Sequence, residues 1–404
     1  MSTNIQKNQI TEGIIWRQLL LFFFPILLGT FFQQLYNTID SVIVGQFVGK
    51  EALAAVGGSS AQIVAFVVGF FTGLSSGASV TIAQFFGAKD SRSANKGLHT
   101  AYAIAAFGGL ILTVSGIILT PFLLEMMNTP ADIVADSAVY LRIYFAGIIF
   151  VLIYNMGSAI LRATGDSKRP LYYLIVCCII NIVLDVLFVI VFHMGVMGVA
   201  VATLIAQAVS AVLVTLKLMR SEGILKLSVK QIRFHGSILK MQLKLGLPTG
   251  FEAILFSITN IAIQSAVNTF GTDTTAAWSA YGKLDAIFWM VSTAFGIAIT
   301  TFVGQNYGAG KMDRVRKSTR VCLLMDFIVS AVLVVFLIAA RFLLFRLFTN
   351  DSHVIEIGCD MLVLITPWYI VYVFIEVIAG ALRGVGNVVV PVAITLLGVC
   401  VLRI

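Results

Sequence analysis

Long apolar runs separated by short polar segments dominate the pattern of the chain. A helix crosses the hydrocarbon core of a bilayer with about 20 residues, and eleven runs reach or approach that length. They lie near residues 14–44, 53–83, 97–120, 134–160, 170–192, 196–219, 246–270, 277–303, 319–345, 355–380 and 388–404. The pattern predicts an all-α polytopic membrane protein with ten full spans and an eleventh that stops at Ile404.

Two short motifs occur twice in the chain, each time 221 residues apart. The motif of residues 157–165 returns at 378–386, and the motif of residues 84–88 returns at 305–309. A proline in the first span of each half also matches, at an offset of 223 residues. Internal repeats are typical of transporters built from two similar bundles. We therefore predict two pseudo-symmetric six-helix bundles, with the last helix of the second bundle missing from this chain.

The segment between the sixth and seventh runs is the natural boundary between the halves. Apolar and basic residues alternate over 225–230, a composition that favours a stretch lying on an anionic membrane surface. We predict an N-terminal lobe of helices one to six over residues 1–220. A cytoplasmic amphipathic linker over 221–245 and a truncated C-terminal lobe of helices seven to eleven over 246–404 follow it.

The distribution of charge predicts the orientation in the membrane. Only 11% of the residues are charged, against about a quarter in soluble domains. Basic residues cluster in alternate loops, with seven of them from Lys217 to Lys244, as in cytoplasmic loops of membrane proteins. We expect a multi-pass protein of the bacterial plasma (inner) membrane with a cytoplasmic N-terminus. Because this topology explains the net charge of +8, we expect the lipid bilayer and no nucleic acid as a partner.

Polar side chains inside the spans of the first half form the strongest candidate site. On the first helix Gln33, Asn37 and Asp40 share one face, and on the fifth helix Asn181 and Asp185 are one turn apart. A charged side chain at the bilayer centre costs about 2.5–3.5 kcal/mol on insertion scales. These residues are therefore expected to face a cavity, a partner or an ion.

Two carboxyl groups close together would form an acceptor for a proton or for Na⁺. Burial and like charge would act together on Asp40 and Asp185, and Thr203 and Asn155 would add neutral oxygen ligands. The alternative is structural: the two acids pair with neutral donors such as Asn or Tyr and only hold helices together.

The second half repeats the scaffold with a different set of ionisable residues. Asn37 matches Asn260 at the 223-residue offset, whereas Asp40 matches Ile263. Glu376 and Asp285 are candidates to attract a cationic substrate, or they are satisfied by Lys283 or Arg383. The residues assigned to a substrate cavity are Gln33, Asn37, Asn260, Gln264, Asp285 and Glu376.

The sequence contains no signature of a soluble enzyme. Walker, HExxH and GxSxG motifs are absent, so we expect neither catalysis nor ATP-driven pumping by this chain. The five cysteines lie in or beside apolar runs without CxxC spacing, which favours packing over metal or disulfide roles. No cofactor is expected beyond a coupling ion, H⁺ or Na⁺.

These features together resemble the multidrug and toxic compound extrusion (MATE) family, and most closely its MepA-like bacterial branch. The likeness covers the whole chain and is carried by Pro25, by the stretch 36–40, by the paired turns at 84–88 and 305–309, and by the Leu-Arg motifs that precede Gly165 and Gly386. The resemblance implies twelve helices in two lobes that form a V-shaped cleft. It also implies a cation-coupled antiporter that exports drugs.

The resemblance further implies roles for individual residues. Relatives carry an N-lobe cation site at positions that match Asp40, Asn181, Asp185 and Thr203, and a helix-one proline that bends on protonation matches Pro25 as a hinge. The implied activity is antiport of organic cations and drugs, hence multidrug efflux and antibiotic resistance, by a monomer. The alternative within the superfamily is a flippase for a lipid-linked precursor, which would need basic residues along the cleft.

Overall fold

The computed structural model describes residues 9–398, and within that range the chain is helical and contains no strand. Ten helical segments are long and apolar enough to cross a membrane, so the prediction of an all-α polytopic membrane protein is confirmed. The spans of the first half are Ile15–Phe47, Lys50–Gly87, Ser91–Met126, Val134–Ala163, Lys168–Val191 and Gly195–Met219. Those of the second half are Gly236–Asn268, Thr272–Gly308, Met312–Arg346 and Ser352–Val385.

Three of the spans are interrupted. The second consists of the helices Lys50–Gly57 and Ser59–Gly87. The fifth changes from the α-helix Lys168–Asp185 to the π-helix Val186–Val191. The tenth consists of Ser352–Ile365 and Tyr369–Gly384, joined by a 3₁₀ turn at Thr366–Trp368, where Pro367 lacks the N–H that an α-helix would use.

The shorter helices lie outside these spans. They are Gln9–Glu12, the 3₁₀ turns Gly223–Leu225 and Val229–Gln231 in the linker, and Val389–Leu396 within the eleventh apolar run. Residues 399–404 of that run, with Cys400, lie outside the described residues, as do residues 1–8.

The described chain packs into two compact units, and both divisions between them fall inside helices. One unit consists of Leu28–Ile254, and the other of Met1–Leu27 and Leu255–Ile404. The helix Ile15–Phe47 therefore begins in one unit and ends in the other, and Pro25 is buried just before the division. The helix Gly236–Asn268 is divided in the same way.

Glycines attach the start of the seventh span to the unit Leu28–Ile254. A Cβ on Gly73 would collide with the backbone at Gly250, and one on Gly77 would collide with Gly246. Two glycine pairs at a spacing of four thus let two helices meet backbone to backbone. Gln242, fully buried, adds a 2.9 Å hydrogen bond from its side chain to the carbonyl of Gly97. These contacts explain why the helix starts at Gly236, ten residues before the apolar run.

Aromatic rings attach the start of the first span to the other unit. Phe23 stacks on Phe295 with ring centroids 4.1 Å apart, and Phe22 meets Phe302 edge to face at 6.0 Å. All four rings are buried in one core. Each unit therefore contains the beginning of the first helix of the other half.

The two copies of the motif at residues 157–165 and 378–386 end in the same backbone turn. The first ends at Gly165, with φ of 97°, and the second at Gly386, with φ of 91°. In both, the N–H three residues past the helix end donates to the carbonyl five residues back: Asp166 donates to Leu161, and Asn387 donates to Leu382, each at 2.9 Å. These turns use glycine because the left-handed backbone strains other residues.

Polar contacts hold the linker against the start of the third span. Asn95 donates from its side chain to the carbonyls of Ile224 and Lys226, each at 3.1 Å. The buried His99 receives the N–H of Ser228 on Nε2 at 3.0 Å, and its Nδ1 lies 2.8 Å from the carbonyl of Asn95. The ring is thus satisfied in its neutral form, with Nδ1 as the donor.

Candidate functional site

Four polar side chains from three spans meet inside the unit Leu28–Ile254. Asp40 comes from the first span, Asn181 and Asp185 from the fifth, and Thr203 from the sixth. All four are buried, and the Asp185 side chain has no exposed surface. Asn181 and Asp185 face the same way because they are one helical turn apart. The structure therefore brings together the four residues that the family resemblance pointed to.

Long hydrogen bonds connect three members of this group. The Thr203 hydroxyl donates to Asp40 Oδ2 at 3.4 Å, and Asn181 Nδ2 donates to Thr203 Oγ1 at 3.5 Å. Both distances are well beyond the 2.7–2.9 Å typical of strong bonds to carboxylates. The group is held together loosely.

Asp40 and Asp185 lie within hydrogen-bonding reach of one another. Two ionised carboxylates are both acceptors, so no bond forms between them unless one holds a proton. Among the described residues, no donor reaches Asp40 Oδ1 or either oxygen of Asp185. Burying two such charges without partners is strongly unfavourable, and a proton or a cation between them removes that cost.

The oxygen atoms of the group match the ligands that hard cations prefer. Asn181 Oδ1 has no hydrogen-bond donor within the described chain, and with the two carboxyl groups and the Thr203 hydroxyl it makes an all-oxygen set. Na⁺ binds to such oxygens by the same hard-ligand preference that governs Ca²⁺ and Mg²⁺. Within the described residues, no cluster of three or more His, Cys, Asp or Glu side chains is arranged to hold a metal ion.

Asp185 is the last α-helical residue before the π-helix Val186–Val191. In that segment the N–H of Phe192 bonds to the carbonyl of Leu187, five residues back, at 3.0 Å. A π-turn inside a helix is often found at a functional site, because it redirects the side chains around it. No pattern in the apolar run 170–192 indicates this change of helix type.

Sequence reasoning missed the polar groups that surround the acids. Gln207 Nε2 donates to the Tyr36 hydroxyl at 3.2 Å, and both side chains are buried. The Tyr140 ring is close enough to Asp40 and Asp185 for their charges to act on its hydroxyl. Tyr36 is one turn before Asp40 on the same helix, a spacing that could have identified it.

The other residues assigned from the first half lie in different environments. Gln33 is half-buried, whereas Asn37 is exposed, although both were predicted to share the face of Asp40. Asn155 is half-buried on the fourth span, and it makes no side-chain hydrogen bond to the group around Asp40 within the described residues.

The acids of the second half have their own donors. Trp289 Nε1 donates to Asp285 Oδ2 at 2.8 Å, and the Tyr369 hydroxyl donates to Asp285 Oδ1. Arg383 donates to Glu376 Oε1 at 2.9 Å in a mostly buried ion pair. Of the two alternatives for Glu376, the structure thus has the one in which Arg383 satisfies it. Lys283 is exposed.

Two amide residues complete the set assigned to a substrate cavity. Asn260 is exposed, and Gln264 donates to Asn268 Oδ1 at 2.8 Å on the same helix. Asp326, by contrast, is fully buried and receives one bond from Ser330 at 3.1 Å. Its other oxygen, Oδ2, has no donor within the described residues.

Known proteins similar to this chain cover nearly its whole length. The MatE family model matches residues 25–187 and 248–404. The probable multidrug resistance protein YoeA of Bacillus subtilis is 30% identical over 393 residues, which are 95% of this chain and 84% of YoeA. The multidrug export protein MepA of Staphylococcus saprophyticus is 21% identical over 363 residues, 88% of this chain and 78% of MepA.

Solved structures share the fold. An outward-facing multidrug resistance MATE family transporter of the MOP superfamily matches with a TM-score of 0.92 at 22% identity, covering 99% of this chain and 89% of its own. A MOP superfamily transporter from Pyrococcus furiosus matches with a TM-score of 0.91 at 22% identity and the same coverage. The resemblance inferred from the repeated motifs is confirmed. By the match of the family model to both halves and by its relatives, this chain belongs to the MatE family.

Proposed function

We propose that this protein is a cation-coupled antiporter that exports organic cations and drugs across the plasma membrane. The names of its relatives YoeA and MepA, which refer to multidrug resistance and multidrug export, support drug efflux. The coupling ion is H⁺ or Na⁺, and the protein acts as a monomeric carrier without a catalytic step.

The group around Asp40 and Asp185 is the single observation that supports ion coupling. Two buried carboxyl groups within reach of each other have three oxygens without a donor in the described residues. A site that only held helices together would satisfy those oxygens with protein donors. A site that binds and releases an ion must leave them available, so the missing donors support ion binding.

Exchange follows from the energetics of that site. An ion entering from outside neutralises the pair, which changes the packing of the first span and releases the exported compound. One charge that moves across 100 mV supplies about 2.3 kcal/mol, enough for a roughly fiftyfold concentration gradient of the exported compound. Pro25 interrupts the hydrogen bonding of the same helix, which supports its role as the hinge.

The proposed substrates follow from the acids and aromatic rings. Asp285 supplies a negative charge beside the rings of Trp289 and Tyr369, and cations are attracted both to carboxylates and to aromatic rings. On the unit that holds these residues, we assign the substrate-facing role to Asp285 together with Asn260 and Gln264. The cytoplasmic N-terminus is inferred from the basic loops.

Proteoliposomes test the proposal directly. The full chain is reconstituted, ethidium is placed on one side, and either a pH gradient or a Na⁺ gradient is imposed. We expect ethidium transport against its own gradient under one of the two conditions. Asp40→Asn and Asp185→Asn should each reduce this transport at least tenfold, because an amide binds neither a proton nor Na⁺ as a carboxylate does.

Asp132→Asn is the matched control, because it makes the same chemical change at an exposed position. It should transport at the rate of the unmodified protein. If equal amounts of Asp40→Asn and Asp185→Asn are reconstituted and both still transport ethidium at the full coupled rate, the proposed coupling site is refuted. Equal transport with and without both gradients would remove antiport itself.

A further inference from the structure

A polar cavity lies at one end of the unit Leu28–Ile254, between the starts of the third and seventh spans. Its volume is about 410 Å³. It takes no part in the site around Asp40, which lies deep within other spans. The lining residues that matter here are Ser93, Lys96, His235, Ser237, Phe85 and Met241.

Two cationic side chains give this cavity a positive potential. Lys96 lines it and is half-buried, and Arg233 Nε lies 3.4 Å from His235 Nε2, to which it donates. Burial, together with the charges of Arg233 and Lys96, lowers the pKa of His235 below its ordinary value. The histidine is therefore neutral at pH 7, and both cations act on the same point of the cavity wall.

The end of a long helix adds to that potential. Gly236 begins the 33-residue helix of the seventh span, and its first amide N–H groups have no acceptor within the helix. The first turn carries a partial positive charge. Gly236 and Ser237 line the cavity, so these amides and the Lys96 ammonium border the same space.

The position of His235 is fixed by the third span. Its backbone N–H donates to Thr100 Oγ1 at 3.3 Å, and its Nδ1 lies 3.1 Å from the same oxygen. Asn95 and His99, which hold the linker, are on the same stretch of that helix. The cavity thus lies between two elements that are hydrogen-bonded to each other, and Phe85 of the second span completes its wall.

One carboxylate lies beside the rim. Asp90 accepts the N–H of Ser93 at 3.0 Å as the cap of the third span, and this bonding to Ser93 lowers the pKa of Asp90. Asp90 is exposed to solvent, where water screens its charge. The cations, by contrast, include a half-buried lysine within the cavity itself.

We propose that this cavity binds the phosphate group of an anionic phospholipid. Phosphate suits ammonium, guanidinium and helix N-terminal groups. Phe85, Ile238 and Met241 supply an apolar wall that matches the glycerol and acyl portions of a lipid and gives nothing to free phosphate. The linker beside it is rich in basic residues, and basic pockets beside membrane helices bind such headgroups. This inference does not depend on the proposed transport.

Binding to the purified full chain in neutral detergent tests it. Native mass spectrometry with increasing phosphatidylglycerol gives the affinity, and phosphatidylcholine is the zwitterionic comparison. Lys96→Gln should weaken phosphatidylglycerol binding about fivefold, as expected for one basic residue near an anionic surface. Lys240→Gln is the matched control, since it removes the same charge from an exposed residue of the seventh span outside the cavity.

A second variant keeps the test valid if Lys96→Gln unfolds. Ser237→Asp places a negative charge in the cavity while favouring the helix N-terminus, so the protein should stay folded and lose most phosphatidylglycerol binding. Inorganic phosphate is the second probe, and it should compete with phosphatidylglycerol only at millimolar concentration. Equal losses for Lys96→Gln and Lys240→Gln, or equal binding of both lipids, would overturn the proposal. Tight binding of inorganic phosphate alone would overturn its lipid part.

Discussion

Asp185 and Glu376 are both carboxyl groups within membrane spans, one in each half of the chain. Glu376 receives a hydrogen bond from Arg383 at 2.9 Å and one from Tyr372 at 3.3 Å. Asp185 faces another acid and has no donor for either oxygen within the described residues. The same helical scaffold thus stabilises one carboxylate with the protein's own donors and leaves the other without a donor in the described residues.

The difference indicates how a duplicated scaffold separates stability from function. A carboxylate with a fixed cation contributes to the fold in every state of the protein. A carboxylate without one is costly until something binds to it, and this cost is what can be coupled to transport. Four substitutions follow, in order of decreasing effect.

Removal of Arg383, the cation paired with Glu376, should have the largest effect on stability. Arg383→Gln leaves Glu376 buried without its partner and should lower the free energy of unfolding by about 3 kcal/mol. Titration with SDS in detergent micelles, followed by tryptophan fluorescence, measures it. The double variant Glu376→Gln with Arg383→Gln should recover most of the loss. The exposed Arg316→Gln is the control, and an equal loss there would contradict the comparison.

A methyl group at the glycine contact should have the next largest effect. Gly73→Ala forces a Cβ against the backbone of Gly250 and should cost about 2 kcal/mol. Gly69→Ala, four residues earlier, meets only the Cβ of Ala253 at 3.5 Å, so it should be nearly neutral in the same titration. The equivalent of Gly73 in the other half is Ala294, which is buried and already carries that methyl group. Similar costs at Gly69 and Gly73 would refute the close approach.

Neutralising the unpartnered acid should change stability in the opposite direction to Arg383→Gln. Asp185→Asn removes a charge that no donor in the described residues stabilises, so it should raise the free energy of unfolding by about 1 kcal/mol. The measurement is made at alkaline pH without Na⁺, so that neither H⁺ nor Na⁺ neutralises the two acids. The exposed Asp136→Asn should leave stability unchanged. A loss of stability with Asp185→Asn would mean that this acid has a structural role.

The smallest effect is expected at the repeated turn. Lys89 has φ of 58°, and its equivalent 221 residues later is Gly310, with φ of 71°. Left-handed backbone costs other residues about 1 kcal/mol relative to glycine, partly offset by the greater freedom of glycine when unfolded. Lys89→Gly should therefore stabilise the protein by about 0.5 kcal/mol, and Gly310→Lys should destabilise it by a similar amount. The opposite signs, measured by the same titration, are the test.

Much of the fold was readable from the sequence because hydrocarbon imposes a strict rule on a spanning helix. The ten spans, the repeats and the pairing of Asp40 with Asp185 all follow from apolar length, offset and the cost of buried charge. The sequence left Arg383 as one alternative partner for Glu376. It did not indicate that Tyr369 donates to Asp285, because Tyr369 lies on another span. The π-helix after Asp185 and the division of two helices between units depend on packing, which no local pattern records.

The glycine surface of Gly73 and Gly77 has a consequence for biosynthesis. When the ribosome has made the first six helices, the segment that covers these glycines, around Gly246 and Gly250, has not yet been synthesised. The amino-terminal half therefore enters the membrane with an open groove, and it closes only when the seventh helix is inserted. We therefore expect the packing at Gly73 and Gly77 to be completed only after the seventh helix has been translated.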